Sequence, residues 1–162
     1  MTTELDLLKE NDFQGFVTVK ELRENIRIVP NYGGVYVVLR PKDDKPVFLE
    51  EGTGGFFKGK DPNVPISQLE AKWIADSSVL YIGKAGKTAN RGLRKRLYEY
   101  MRFGQGEPVG HYGGRYIWQL ADAADLLVCW KRIDGDPEQA ERQLLLAFKE
   151  EYGDFPFANL RL

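Results

Sequence analysis

The sequence predicts an α+β domain, a small central sheet with helices packed around it. Two observations point there. Three short β-branched or apolar runs, "GGVYVVLR" at 33–40, "SVLYIG" at 78–83 and "DLLVCWKRID" at 125–134, read as strands. Segments of helical periodicity lie around them without the even strand–helix rhythm of a doubly wound parallel sheet. With 162 residues, no internal repeat and no linker, the chain is expected to form one domain with a modest core.

The elements follow in order. "TELDLLKE" (3–10) and "VTVKELREN" (17–25) read as short amphipathic helices of an N-terminal extension, residues 1–32. After the first strand, "PKDDKP" (41–46) is a turn and "VFLEEG" (47–52) a candidate returning strand. The Gly, Pro and Asp content of "GTGGFFKGKDPNVP" (52–65) makes it loop. Ser67 and Glu70 have capping-box spacing, and Leu69 and Trp73 lie one turn apart, which predicts a short helix. "ANRGLRKRLYEYMRFG" (89–104) is a clear helix: Leu93, Leu97, Tyr100 and Met101 share a face and Gly104 ends it. "HYGGRYIWQLAD" (111–122) is ambiguous between helix and strand. The last helix has Asp136 as N-cap, Pro137 at the first position and Gly153 as stop. The tail from 155 is extended.

Composition narrows the classes of function. No apolar run is long enough to span a bilayer, and the acidic start lacks the apolar core of a signal peptide, so a cytoplasmic protein without a membrane partner is expected. The single cysteine, Cys129, excludes an internal disulfide; it sits in "LLVCW" and reads as buried and inert. The net charge of −1 conceals a segregation: residues 84–115 hold eight Lys or Arg against two acids, a net of +6, and the remainder carries −7. A basic segment on an acidic body is either a solvated helix face or a contact for nucleic acid.

"YIGKAGKT" (81–88) ends like a phosphate-binding P-loop, but Tyr81 occupies the first glycine position. "ANRG" then separates Lys87-Thr88 from the helix, and no strand ending in Asp follows. Nucleotide hydrolysis is therefore not expected.

A different constellation emerges outward from Tyr81. "GVY" (34–36) and "YIG" (81–83) lie on two strands; a basic helix follows with Arg96 and, one turn on, Tyr100; a helix carries Glu141; "PFAN" (156–159) closes the chain. This ordered set resembles the GIY-YIG nuclease family over residues 33–159, and "YIGKA…LRKRLYEY" is most similar to the N-terminal nuclease domain of the bacterial excision-repair endonuclease. The chain departs from the family pattern by an insertion at 41–78 between the two motif strands and by "KTANRG" before the helix.

The residues also carry chemistry of their own. Glu141 is aligned with Leu144, Leu145, Phe148 and Tyr152 on an apolar stripe, where a carboxylate needs a partner. A hard divalent metal is one such partner; the alternative is a first-turn acid favoured by the helix dipole. Arg96 lies at the edge of its helix's apolar face, where a held guanidinium suits a phosphate or a salt bridge. Tyr36 and Tyr81 could be ordinary strand packing.

The resemblance implies more. The fold would be a small, mostly antiparallel three-stranded sheet flanked by helices. The activity would be metal-dependent cleavage of DNA, one strand per active site, with Mg²⁺ or Mn²⁺ on Glu141 and Arg96 on the phosphate. Either Tyr36 or Tyr81 would be the base, its pKa lowered by Lys84, Arg96 and the metal. Tyr100 and Asn159 would complete the site. Lys87, Arg91, Arg94, Lys95 and Arg102 are candidate nucleic-acid contacts, as are His111 and Arg115, because "HYGGR" combines glycines, an aromatic and a cation. The alternatives are a non-catalytic nucleic-acid-binding module of this fold, and a nuclease for branched DNA or RNA. No RNA-reading motif of RRM or KH type is present. Either a monomer or a homodimer fits.

Overall fold

The three predicted strands become the centre and one edge of an antiparallel sheet. The computed structural model describes residues 3–88 and 91–160. In chain order its elements are α1 (Glu4–Glu10), β1 (Gln14–Thr18), α2 (Val19–Glu24), β2 (Gly34–Leu39), α3 (Ile66–Lys72), β3 (Val79–Ala85), α4 (Leu93–Phe103), β4 (Leu127–Arg132) and α5 (Pro137–Tyr152). The fold is α+β, with sheet order β1-β4-β2-β3. Every pairing is antiparallel, with Tyr36 opposite Gly83 on one side and opposite Trp130 on the other.

The expected three strands are thus four among the described residues. β1 comes from the N-terminal extension, whose second helix is shorter than predicted. Its hydrophobic pattern is irregular because the register slips between Gly15 and Val17. Gly15 (φ 98°) takes a left-handed conformation, and the Trp130 ring lies 2.6 Å from where its Cβ would stand, so only glycine fits.

Two other expectations fail locally. "VFLEEG" forms no strand and contributes a single bridge, Phe48 to Leu120. Ser67 does not cap α3: Pro65 stands at the N-cap and the helix starts at Ile66, so Ser67 falls inside the first turn. The ambiguous segment "HYGGRYIWQLAD" contains a 3-10 stretch, Tyr112–Gln119. The last helix ends as read. Asp136 Oδ1 accepts from the Glu138 amide at 3.0 Å, and Gly153 (φ 86°) closes α5. α1 and α2 carry capping boxes from Thr3 and Thr18.

Alternation along the strands sends side chains to two cores. Tyr36, Val38, Tyr81, Val128 and Trp130 pack with Leu93, Leu97, Tyr100 and Phe103 of α4. Val35, Val37, Ile82 and Cys129 pack with Leu145 and Phe148 of α5. Cys129 is fully buried, and burial pushes its thiol up to about 12, which leaves it inert.

The insertion is fastened by the buried Gln119. Its Nε2 donates to the carbonyls of Leu49 (3.0 Å) and Val64 (2.9 Å), and its Oε1 accepts from the Val64 amide (2.9 Å). Tyr112 Oη donates to the Asp61 carbonyl at 2.8 Å. These bonds lay the insertion along the 3-10 stretch. Among the described residues no helix is long and apolar enough to cross a membrane.

Candidate active site

The edge strand β3 is where α4, packed on one face of the sheet, and α5, packed on the other, come within reach of each other. A cleft of about 720 Å³ opens there, lined by Tyr36, Tyr81, Lys84, Arg96, Glu141 and Asn159 among others. These six come from two strands, two helices and the tail, and sequence reading had singled out each of them.

The floor is aromatic. The Tyr36 and Tyr81 rings lie 6.1 Å apart, on the same face of neighbouring strands. Gly83 makes room for them: a Cβ there would stand 2.3 Å from Tyr36 Cζ and 2.5 Å from its Oη. Gly83→Ala is expected to lower unfolding stability by about 1–3 kcal/mol, the usual range for overpacking a core. Urea denaturation checks this, and an unchanged midpoint would mean that the Tyr36 ring is not confined as described.

Burial decides the charge state of the phenols. Tyr36 is held well above the ordinary phenol value by burial first, with Tyr81 and Glu141 adding to it and Arg96 opposing. Tyr81 is pushed up to about 12 by burial, with Glu141 in the same direction and Arg96 against it. Arg96 lowers both phenols as expected, but desolvation outweighs it.

Charged groups form the walls. Glu141, on the first turns of α5, is half-buried and makes no hydrogen bond or ion pair among the described residues. Its carboxyl is raised above its usual range by burial first and also by Glu138, with Lys84 and Arg96 pulling it down. Lys84 belongs to β3 itself, and its Nζ lies 3.4 Å from Glu138 Oε1. Arg96 is anchored by a 2.6 Å bond from Nη1 to the Gly110 carbonyl, with Glu99 at 4.0 Å. Asn159 pins the tail to the sheet edge: its Oδ1 accepts from the Ile82 amide and its Nδ2 donates to the Ile82 carbonyl, each at 2.9 Å. Side chain and strand pair as two strands would, which covers the β3 edge.

Two predicted site residues lie behind the cleft. Tyr100 is fully buried, and its Oη donates to the Gly114 carbonyl at 2.7 Å. His111 is 1% exposed, so it cannot touch a phosphate as expected; its ring stacks on Tyr100 instead (centroids 3.6 Å, 5°). The chain had to turn through 110–116 to bring it there, which no local pattern signals.

The basic residues divide. Arg115 lines the cleft and stacks on Tyr112 at 4.1 Å. Arg91 lies in an adjoining hollow with Lys84 and Arg96. Lys87 and Lys95 are exposed, with Lys95 over the Tyr98 ring. Two others are committed to the fold rather than to the cleft. Arg94 Nε donates to the Val29 carbonyl at 2.8 Å, and Arg102 pairs with Glu107 and with Tyr98 Oη. The Lys87-Thr88 dipeptide lies in a turn closed by a 2.7 Å bond from the Gly86 amide to the Arg91 carbonyl, and α4 starts only at Leu93. Ala89 and Asn90 of the predicted helix lie outside the described residues.

Sequence reading missed the outer rim. The insertion brings Phe57, Lys58 and Lys60 to the cleft, facing Tyr112 and Arg115. Two lysines and two phenylalanines within "FFKGK" were the available signal.

No family model, no curated protein and no solved structure matches the chain.

Proposed function

We propose that this protein is a metal-dependent DNA endonuclease of the GIY-YIG type. The supporting observation is the convergence of Tyr36, Tyr81, Lys84, Arg96, Glu141 and Asn159 on one cleft. Phosphodiester hydrolysis needs an activated water, cations against the phosphate charge and stabilisation of the leaving oxygen.

The residues fit a metal of the magnesium type. Among the described residues no cluster of three or more carboxylate, His or Cys side chains is present, so Glu141 would be the protein's ligand. A hard cation that keeps several waters and takes phosphate oxygens needs no more than one or two carboxylates. Mg²⁺ or Mn²⁺ bound there would neutralise charge on the scissile phosphate. Arg96, held by Gly110, offers its remaining N–H groups to the same phosphate, and Lys84 adds positive charge. The two tyrosines form the apolar floor beneath these groups. A cleft of this size seats one strand, so cutting a duplex takes two visits or a homodimer.

Nucleic acid would enter across the rim. Replacing both Lys58 and Lys60 by Ala is expected to weaken DNA binding and to make the plot of log affinity against log salt shallower by about 1.5. Binding titrations at several salt concentrations measure this; an unchanged slope would place the strand elsewhere.

The second reading is a nucleic-acid-binding module without turnover. What favours it is Tyr81: burial pushes its phenol up to about 12, which keeps it protonated at neutral pH. A nicking assay separates the two readings. Supercoiled plasmid and a branched oligonucleotide, in DNA and RNA versions, are incubated with Mg²⁺, Mn²⁺ or EDTA. Nicks with either metal and none with EDTA are expected. Binding without any cutting of these substrates would select the module.

A further inference from the structure

More positive charge stands around the cleft than one scissile phosphate needs. Lys58, Lys60, Lys84, Arg96 and Arg115 line it against one carboxylate, Glu141. Lys84 is shared with Glu138, and Arg96 is held by Gly110 beside Glu99. Lys58, Lys60 and Arg115, all at the rim, form no ion pair among the described residues. Aromatic rings alternate with them. Lys58 Nζ lies 5.3 Å from the centre of the Phe57 ring and Lys60 Nζ 6.0 Å from that of Tyr112, on which Arg115 stacks. Lys58 has φ 55°, a left-handed conformation that suits glycine or asparagine better than lysine. A lysine kept in that conformation at the mouth of a cleft points to a role outside the fold. Gly113, next to Tyr112, lines the cleft with bare backbone, and a Cβ there would meet nothing within 4 Å. The rim is also preformed. Tyr112 Oη holds the Asp61 carbonyl, and Gly55 leaves no room for a Cβ against the Glu107 carbonyl.

We propose that this rim is a subsite for unpaired nucleotides, so that the preferred substrate is DNA with a single-stranded segment beside the cut. The inference rests on the nuclease reading and deepens it by naming the substrate class. Inside a duplex both faces of a base are covered by its neighbours; only an unpaired, unstacked base can lie on an aromatic ring. The phosphates between such bases need cations spaced along their path. Here Phe57 and Tyr112 offer partly exposed rings, and Lys58, Lys60 and Arg115 stand between and beside them. The bare backbone at Gly113 lets a nucleotide approach closely. The same strand then meets Arg96 and Glu141 within the one cleft. Every base has a π-face, so the rim selects the structure of the DNA and not its sequence.

The rest of the surface gives a duplex less to hold. Outside 84–115 the chain carries −7, and within α4 Arg94 is tied to Val29 and Arg102 to Glu107. Affinity for paired DNA should therefore be weak and strongly dependent on salt, and the rim adds its contacts only where the strands have separated.

Fluorescence anisotropy in EDTA measures binding apart from cutting. A single strand of about 15 nucleotides is expected to bind about 10-fold or more tighter than a duplex of the same sequence. A 2-aminopurine base in that strand should lose fluorescence on binding as it stacks, and lose less with Phe57→Leu, which keeps apolar bulk and removes the π-face. Gly113→Leu probes the rim without touching its charge. Its side chain starts in open space, so the melting temperature should match the wild type. Its affinity for the single strand is expected to fall about fivefold or more, with duplex affinity within about twofold. With Mg²⁺, a fork with an unpaired arm should be cut about 10-fold or more faster than plain duplex. A duplex bound as tightly as the single strand, or cut as fast as the fork, would overturn this inference and leave the nuclease reading. A folded Gly113→Leu with wild-type single-strand affinity would overturn it as well. Single-strand preference in a protein that cuts nothing with Mg²⁺ or Mn²⁺ would overturn the nuclease reading and leave the rim. Should Phe57→Leu fail to fold, Gly113→Leu still decides.

Discussion

Glu141→Gln is expected to abolish metal-dependent cleavage, with a loss of about 1,000-fold or more in kcat while DNA binding persists. The substitution keeps size and shape and removes only the negative charge. If Glu141 holds the cation, a neutral amide leaves it one weak oxygen in place of a carboxylate, and the phosphate loses its counter-charge. The fold should not suffer. Burial already raises the Glu141 carboxyl above its usual range, so the ionised form is a cost to the folded state at neutral pH. Glutamine relieves that cost, and the melting temperature should equal or exceed that of the wild type. Binding should hold or tighten, because a negative charge beside the phosphate has gone. The nicking assay with Mg²⁺, a melting curve and a binding titration read all three. Cleavage that survives Glu141→Gln in clean protein would misplace the metal, and with it the motif assignment.

What the sequence disclosed about the site follows from how each residue is held. Tyr36 and Tyr81 lie on β-branched strands whose alternation is local, so their common face could be foreseen. Glu141 sits one turn into a helix bounded by Asp136, Pro137 and Gly153, which fixes its angular position without any tertiary contact. Asn159 and Arg96 were placed by order along the chain. His111 was not legible in this way: its hydrogen-bond partner, Tyr36, is 75 residues distant. The same holds for the rim. Lys58 and Lys60 stand at the cleft because Gln119 and Tyr112 fasten the insertion through bonds spanning 51 to 70 residues.

The fold divides along the same line. Helices with their own caps are encoded within a few residues, and α1, α2, α4 and α5 lie close to where periodicity puts them. β1 depends on a left-handed Gly15 lodged against Trp130, a contact that exists only once β4 is in place. "VFLEEG" shows the converse: its strand-like composition met no neighbouring strand to pair with, only Leu120. The basic segment also needed the fold to be read correctly. Its +6 charge is real, yet Arg94 and Arg102 are spent on Val29 and Glu107, and the positive charge at the cleft comes partly from outside the segment.

Arg96→Lys carries the second large effect, an expected fall in kcat of about 100-fold with little change in KM. The charge is retained, so the electrostatic pull on Tyr36, Tyr81 and Glu141 keeps its sign, and attraction of the strand into the cleft is little altered. What is lost is the fork. In the wild type one nitrogen of Arg96 is fixed on the Gly110 carbonyl, which aims the others. A single ammonium cannot keep that anchor and also meet a phosphate squarely. If it turns to the phosphate, the Gly110 carbonyl loses its partner, at about 1 kcal/mol of stability, and the segment leading to His111 loosens. If it stays on Gly110, the phosphate is left with a distant charge. Either way the transition state is held less well than the ground state, and the loss falls on kcat. Steady-state kinetics with a single-site oligonucleotide separates the two constants. Arg96→Lys with kcat within twofold of the wild type would reduce Arg96 to a point charge and remove the argument that its anchored guanidinium reads the phosphate.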